Sequence, residues 1–125
     1  WARRYKEAFG KAGLTEPGPC QLTLPGEVTG KHVYNQFTIR AASEHHRRHI
    51  LDQLQARQIG HSVYYPVPLH LQACFSALGY SEGDLPETER AAKTVFSIPV
   101  FPQLTEAEHN YVARVIAEAA SSFPG

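Results

Sequence analysis

Residues 32–41 read HVYNQFTIRA. Val33, Asn35, Phe37 and Ile39 alternate with Tyr34, Gln36, Thr38 and Arg40, the two-residue period of a strand with unlike faces. The first set is mostly apolar and is expected to meet the core. The second is polar and aromatic, and is left for water, a ligand or another domain. Downstream, Ser43 is placed to cap a helix to about Arg57, with Ile50, Leu51 and Leu54 inward and Gly60, after Ile59, as its stop. HSVYY (61–65) reads as a second strand ended by Pro66 and Pro68, and HLQACFSALGY (70–80) as a short helix stopping at Gly79, followed by the loop SEGDL.

Pro86 suits the first turn of a helix to about Val95, and SIPVF (97–101) reads as a third, short strand kept near an edge by Pro99. Thr105 and Glu108 form a capping box for a last helix with Tyr111, Val112, Val115, Ile116 and Ala119 inward, ahead of a frayed SSFPG. Upstream, Tyr5, Ala8, Phe9 and Ala12 have helical spacing, and Gly13 ends the run. Opening on an uncapped Trp1, that helix is expected to be the end of a longer one, in a larger polypeptide. Residues 14–31 hold Pro17, Gly18, Pro19, Pro25, Gly26 and Gly30, and read as a connecting loop. The order of elements predicts an α/β chain of the α+β kind, a sheet of about three strands with helices packed on it. Spacing alone leaves parallel and antiparallel pairing open.

At 125 residues the chain fits one domain with one core. Twelve Lys and Arg balance twelve Asp and Glu, so nothing draws it to nucleic acid or to an anionic membrane. No apolar stretch approaches the ~20 residues of a membrane span, and WARRYKEAFGKAG lacks the centre of a signal peptide. With Cys20 and Cys74 outside any CxxC pattern, a cytoplasmic protein with reduced thiols is expected.

The densest chemical cluster is VYYPVPLHLQ (63–72), where Pro66 and Pro68 would stiffen a loop holding Tyr64, Tyr65, His70 and Gln72. By composition alone it also reads as a turn whose tyrosines pack on the core rim, the commoner arrangement. On the first strand, Tyr34, Gln36 and Arg40 share a face; Arg40 there could clamp a carboxylate or phosphate, although solvated arginines are commoner. His45 and His49 in HHRRH stand one helical turn apart, but with no third ligand they read as a solvated helix face. Nucleophile motifs and glycine-rich phosphate loops are absent from the sequence.

The runs HVYNQFTIRA, IGHSVYYPVPLHLQACFSALGY and GDLPETERAAKTVFSIPVFPQLTEAE closely resemble the C-terminal part of the DegT/DnrJ/EryC1/StrS family, pyridoxal-phosphate-dependent sugar-nucleotide aminotransferases. The resemblance implies that residues 1–125 are the small C-terminal domain of the aspartate-aminotransferase fold (type I), a mainly antiparallel sheet flanked by helices. Residues 1–13 would be the end of the interdomain helix. The large cofactor domain, with the Schiff-base lysine and the acid that pairs with the pyridine nitrogen, would lie elsewhere, so none of Lys6, Lys11, Lys31 and Lys93 is assigned that role.

The parent is implied to be a homodimer that moves an amino group, typically from glutamate, to a nucleotide-linked keto sugar for surface polysaccharides or antibiotic sugars. This chain alone would be inactive and hold no cofactor. Tyr64, Tyr65 and His70 look like substrate contacts, with Gln36 and Arg40 next in rank; many relatives have histidine where Asn35 stands. The alternative is a non-catalytic regulatory or dimerisation module.

Overall fold

A computed structural model of the chain describes residues 1–28 and 30–124. Its elements are α1 (Ala2–Lys11), β1 (Leu22–Thr23), β2 (Phe37–Ala41), α2 (Glu44–Ala56), two 3-10 turns (Leu69–Leu71 and Ala73–Leu78), α3 (Pro86–Thr94), β3 (Val95–Ile98) and α4 (Glu106–Ser121). Among the described residues the sheet has three strands in the order β1-β2-β3, both pairings antiparallel. That resolves the open choice of strand direction. The expected strand count is met by different segments.

The strand in HVYNQFTIRA is confined to its second half. Tyr34 sits at φ +49°, a left-handed conformation that interrupts an extended chain, and Val33 is left 81% exposed rather than in the core. Phe37 and Ile39 do alternate into the interior as read, and Ala41 continues the pattern. HSVYY is not a strand: only Ser62 pairs, with Ser97, its N–H donating to the Ser97 carbonyl at 3.1 Å and its carbonyl accepting from the Ser97 N–H at 2.8 Å. Tyr65 at φ +57° and the prolines beyond turn the chain away from the ladder. β3 begins at Val95, two residues before SIPVF, and stops at Ile98, before Pro99, because proline offers no N–H to continue it. β1 lies inside the segment read as loop, Leu22 pairing with Ala41 and Thr23 with Arg40.

Two helices end alike with different residues. After α1, Gly13 (φ +71°) turns left-handed; its N–H donates to the Gly10 carbonyl and that of Leu14 to Phe9, both at 3.0 Å. After α2 the same pair of bonds runs from Gln58 to Gln55 and from Ile59 to Leu54, with Gln58 at φ +55°. So Gln58, not Gly60, is the turning residue, at roughly 1–2 kcal/mol over glycine's freedom. Buried Leu14 and Ile59 supply the apolar contact that closes each motif.

The α2 start is as read, the Ser43 hydroxyl accepting from the His46 N–H at 3.1 Å. Thr105 and Glu108 cap α4 reciprocally, an arrangement worth about 1 kcal/mol. Tyr111 is 39% exposed, off the inner stripe that Val112, Val115, Ile116 and Ala119 occupy, and Ala12 is exposed too. The expected short helix at 70–79 is the pair of 3-10 turns, closed by left-handed Gly79. Of the frayed SSFPG, Gly125 lies outside the described residues, whereas the Phe123 ring stacks 4.9 Å from that of His46.

The core forms on one side of the sheet. Tyr5 and Phe9 of α1, Ile50 and Leu54 of α2, and Val115 and Ile116 of α4 close over Phe37, Ile39 and Phe96, all fully buried. Tyr5 is held by its phenol, which donates to the Pro99 carbonyl at 3.0 Å, and burial pushes that phenol's pKa up.

Candidate functional site

Residues directly opposite in an antiparallel pair point to one face. Phe37 faces Ile98 and Ile39 faces Phe96 on the covered side; Thr38 faces Ser97, and Arg40 faces Val95, on the other. Thr38 and Ser97 join hydroxyls at 2.8 Å across the strands. Ser62, paired with Ser97, extends this polar face past β3, while Val63 packs on the core and Tyr64 turns outward.

A cleft of about 360 Å³ opens beside that polar face. Asn35, Gln36, His61, Ser62, Tyr64 and Ser97 give it polar side chains, over an apolar wall from the Ile98–Phe101 stretch. Two of the residues singled out from the sequence, Gln36 and Tyr64, thus meet in one site from distant parts of the chain. Tyr64 also borders a smaller, apolar cleft of about 240 Å³ with Tyr65, Pro68 and Leu69. Arg40 is half-buried on the same sheet face, between Thr23 and Val95, and lines neither cleft. Tyr65 is 65% exposed in a strained conformation, the kind of outlier that structures keep at functional sites.

His70 is placed differently from its sequence neighbours. It is buried, its Nε2 3.1 Å from a carboxylate oxygen of Glu89. That carboxylate, itself nine-tenths buried, also accepts from the backbone N–H groups of Gly83 (2.9 and 3.0 Å) and Leu85 (3.3 Å). Burial works to raise the Glu89 pKa, but these bonds outweigh it and hold the group below the usual carboxylate range. Glu89 therefore pins the His70 turn and the 81–85 loop together beneath the exposed tyrosines. The sequence reading passed over Glu89, which sits in an unremarked helical ETER run.

It passed over His61 as well, treating it as an ordinary strand residue. Its Nδ1 lies 2.9 Å from the Ile59 carbonyl, which can only accept, so Nδ1 carries the proton and donates. A histidine just past an apolar helix stop and before a turn of tyrosines was the available signal. In the histidine-rich helix, His46 is fully buried against Phe123 while His45 is exposed, and no group of three metal-ligating side chains assembles among the described residues. Arg47 reaches across instead, donating to the Ala92 carbonyl at 2.7 Å at the end of α3.

None of the lysines lines either cleft. Lys6 donates to the Tyr34 phenol at 2.6 Å, Lys93 lies 4.0 Å from Glu82, and Lys11 and Lys31 are exposed. Neither cleft therefore offers a lysine amine for a Schiff base with a carbonyl ligand. No helix among the described residues is long and apolar enough to cross a membrane.

A three-stranded antiparallel sheet, helices closing one face and a polar cleft beside the other, defines a small α+β domain of the kind found in pyridoxal-phosphate aminotransferases of fold type I. Residues 1–117 match the DegT/DnrJ/EryC1/StrS aminotransferase family, and the chain belongs to it. It is 50% identical over 122 residues to a pleiotropic regulatory protein of Geobacillus stearothermophilus, 93% of this chain and 31% of that protein. A UDP-N-acetyl-3-dehydro-alpha-D-glucosamine 3-aminotransferase of Acidithiobacillus ferrooxidans is 35% identical over 96 residues, 76% of this chain and 25% of its own. In three dimensions the chain matches S. venezuelae DesV, solved in complex with a ketimine intermediate, with a TM-score of 0.83 and 31% identity over 98% of this chain and 30% of that one. The chain thus spans about a third or less of the length of these relatives.

Proposed function

We propose that this chain is the small C-terminal domain of a pyridoxal-phosphate-dependent sugar-nucleotide aminotransferase, with the cofactor and its lysine carried by a larger domain outside these residues. The observation that carries the reading is the meeting of Gln36 and Tyr64 in one polar cleft on a chain of this family. Hydroxyl, amide and imidazole groups over an apolar wall suit a sugar, which offers hydroxyls at its rim and C–H groups on its faces.

In this scheme Gln36 and Tyr64 orient the keto sugar, and Tyr65 shields it from water at the mouth. Arg40, whose side chain has no ion pair or hydrogen bond among the described residues, is left to meet the carboxylate of the amino donor, glutamate. His70 contributes from beneath, by holding the loop. The parent acts as a cytoplasmic homodimer, and the 125-residue chain alone does not transaminate.

The test is glutamate consumption by the parent polypeptide with a UDP- or dTDP-linked 3-keto sugar. Tyr64→Phe and Gln36→Ala are expected to raise KM for the sugar nucleotide about three- to tenfold each, and Arg40→Ala that for glutamate. Unchanged KM values in all three variants contradict the site. A second reading, a non-catalytic regulatory module, is favoured by the name of the Geobacillus stearothermophilus relative. It predicts that the parent performs its role with its cofactor lysine replaced, which the first reading forbids.

A further inference from the structure

We propose that His61 is a ligand-positioning residue of the polar cleft, its Nε2 accepting a hydrogen bond from a ring hydroxyl of the sugar. The inference rests on the reading of the cleft as a sugar-nucleotide site and adds to it a residue whose neutral tautomer is set by its backbone partner.

Three observations carry it. The first is the tautomer: with Nδ1–H donating to the Ile59 carbonyl at 2.9 Å, the neutral ring keeps its lone pair on Nε2. Nε2 makes no hydrogen bond among the described residues. The second is position, since His61 lines the cleft together with Gln36, Tyr64 and the Ser97 strand. The third is rigidity. On one side His61 follows Ile59, buried at 7% exposure and tied back to Leu54 at 2.9 Å. On the other, Ser62 is bonded twice to Ser97. A ring held between two anchored neighbours meets a ligand with little ordering left to pay for, unlike the exposed tyrosines further along.

Chemistry narrows the ligand. A neutral imidazole nitrogen accepts and gives no charge, so it selects a hydroxyl or N–H rather than a phosphate oxygen. Gln36 can donate and accept, and Tyr64 can do the same. A cleft of about 360 Å³ with this mixture is the right size for one pyranose ring, with the nucleotide outside it.

The experiment is ¹⁵N NMR of the imidazole on the full 125-residue chain, titrated to millimolar concentration with UDP-N-acetylglucosamine or dTDP-glucose, and separately with UDP or dTDP. The free protein is expected to show the Nδ1–H tautomer at His61. The sugar nucleotides are expected to shift Nε2 together with the side chains of Gln36 and Tyr64, and the bare nucleotides to leave Nε2 alone.

Replacement tests the role independently of folding. His61→Gln places an acceptor near the position of Nε2 and is expected to keep affinity within about threefold; His61→Asn, whose amide mimics Nδ1 instead, is expected to lose about three- to tenfold. Equal losses in both variants overturn the proposal in favour of a structural role. Shifts at Gln36 and Tyr64 with Nε2 unmoved, or an equal Nε2 shift with UDP alone, overturn it while the sugar-nucleotide reading stands. No shift at any of the three residues overturns both.

Discussion

At the scale of single residues, the molecule keeps several that its stability does not favour. Tyr65 holds a left-handed conformation that costs a residue with a Cβ roughly 1–2 kcal/mol, yet it is 65% exposed at the edge of an apolar cleft, with little buried area to offset this. Tyr65→Gly is therefore expected to leave thermal stability unchanged or raise it, within about 1 kcal/mol, while weakening sugar-nucleotide binding. Thermal unfolding and the titration above check both halves.

His46 and His109 are a second pair. Both are buried, neither Nε2 having a hydrogen-bond partner among the described residues, and His109 lies 4.1 Å from the Tyr5 ring and 5.3 Å from that of Trp1. Burial lowers both pKa values, because a charged imidazole would lose its water. The unfolded chain, with histidines near pKa about 6.5, then binds protons that the folded chain refuses. Stability should be full above that value and fall as pH drops through it, well before Glu89 and Glu108, whose pKa values are also lowered, begin to lose their bonds in the carboxylate range. His109→Phe should flatten the first decline and leave the second, as read from melting temperatures between pH 4 and 8.

At the scale of elements, the distinction that matters is between segments fixed by local pattern and segments fixed by partners. The caps at Ser43 and Thr105, the apolar stripes of α2 and α4, and the alternation of Phe37 and Ile39 were legible because each is a short-range rule satisfied within a turn or a strand. β1 was not legible, since two residues, Leu22 and Thr23, become a strand only by pairing with Ala41 and Arg40. HSVYY carried the right residues for a strand and lost it to the left-handed Tyr65 and two prolines. Of the candidate site, Gln36 and Tyr64, singled out by residue type, line one cleft, whereas the joining of His61 to that cleft and of Glu89 to His70 depends on how distant segments are folded together.

The 64–85 segment shows the consequence. Its 3-10 turns bury little besides His70, so the Glu89 carboxylate is its main tie to the rest of the fold. Glu89→Ala should free the Gly83 and Leu85 amides, speeding their hydrogen exchange about tenfold or more while α4 amides hold. Glu89→Gln, which keeps acceptor capacity on one oxygen, should fall between. Equal exchange in all three proteins would mean that the loop is held by something else.

At the scale of the whole molecule, the two sides of the sheet have different tasks. One is closed by α1, α2 and α4 around aromatic and branched side chains; the other stays polar, with hydroxyls, an amide, an imidazole and an arginine beside a cleft. A covered apolar face and an open polar one thus occur together in a chain that spans about a third or less of the length of these relatives.

In the proposed parent these residues shape a substrate cleft while the cofactor's lysine lies elsewhere in the polypeptide. The direct measurement is to incubate the parent polypeptide with pyridoxal phosphate, reduce it with borohydride and map the labelled lysine by mass spectrometry. One stoichiometric label is expected, outside residues 1–125. A stoichiometric label on Lys6, Lys11, Lys31 or Lys93 would contradict it.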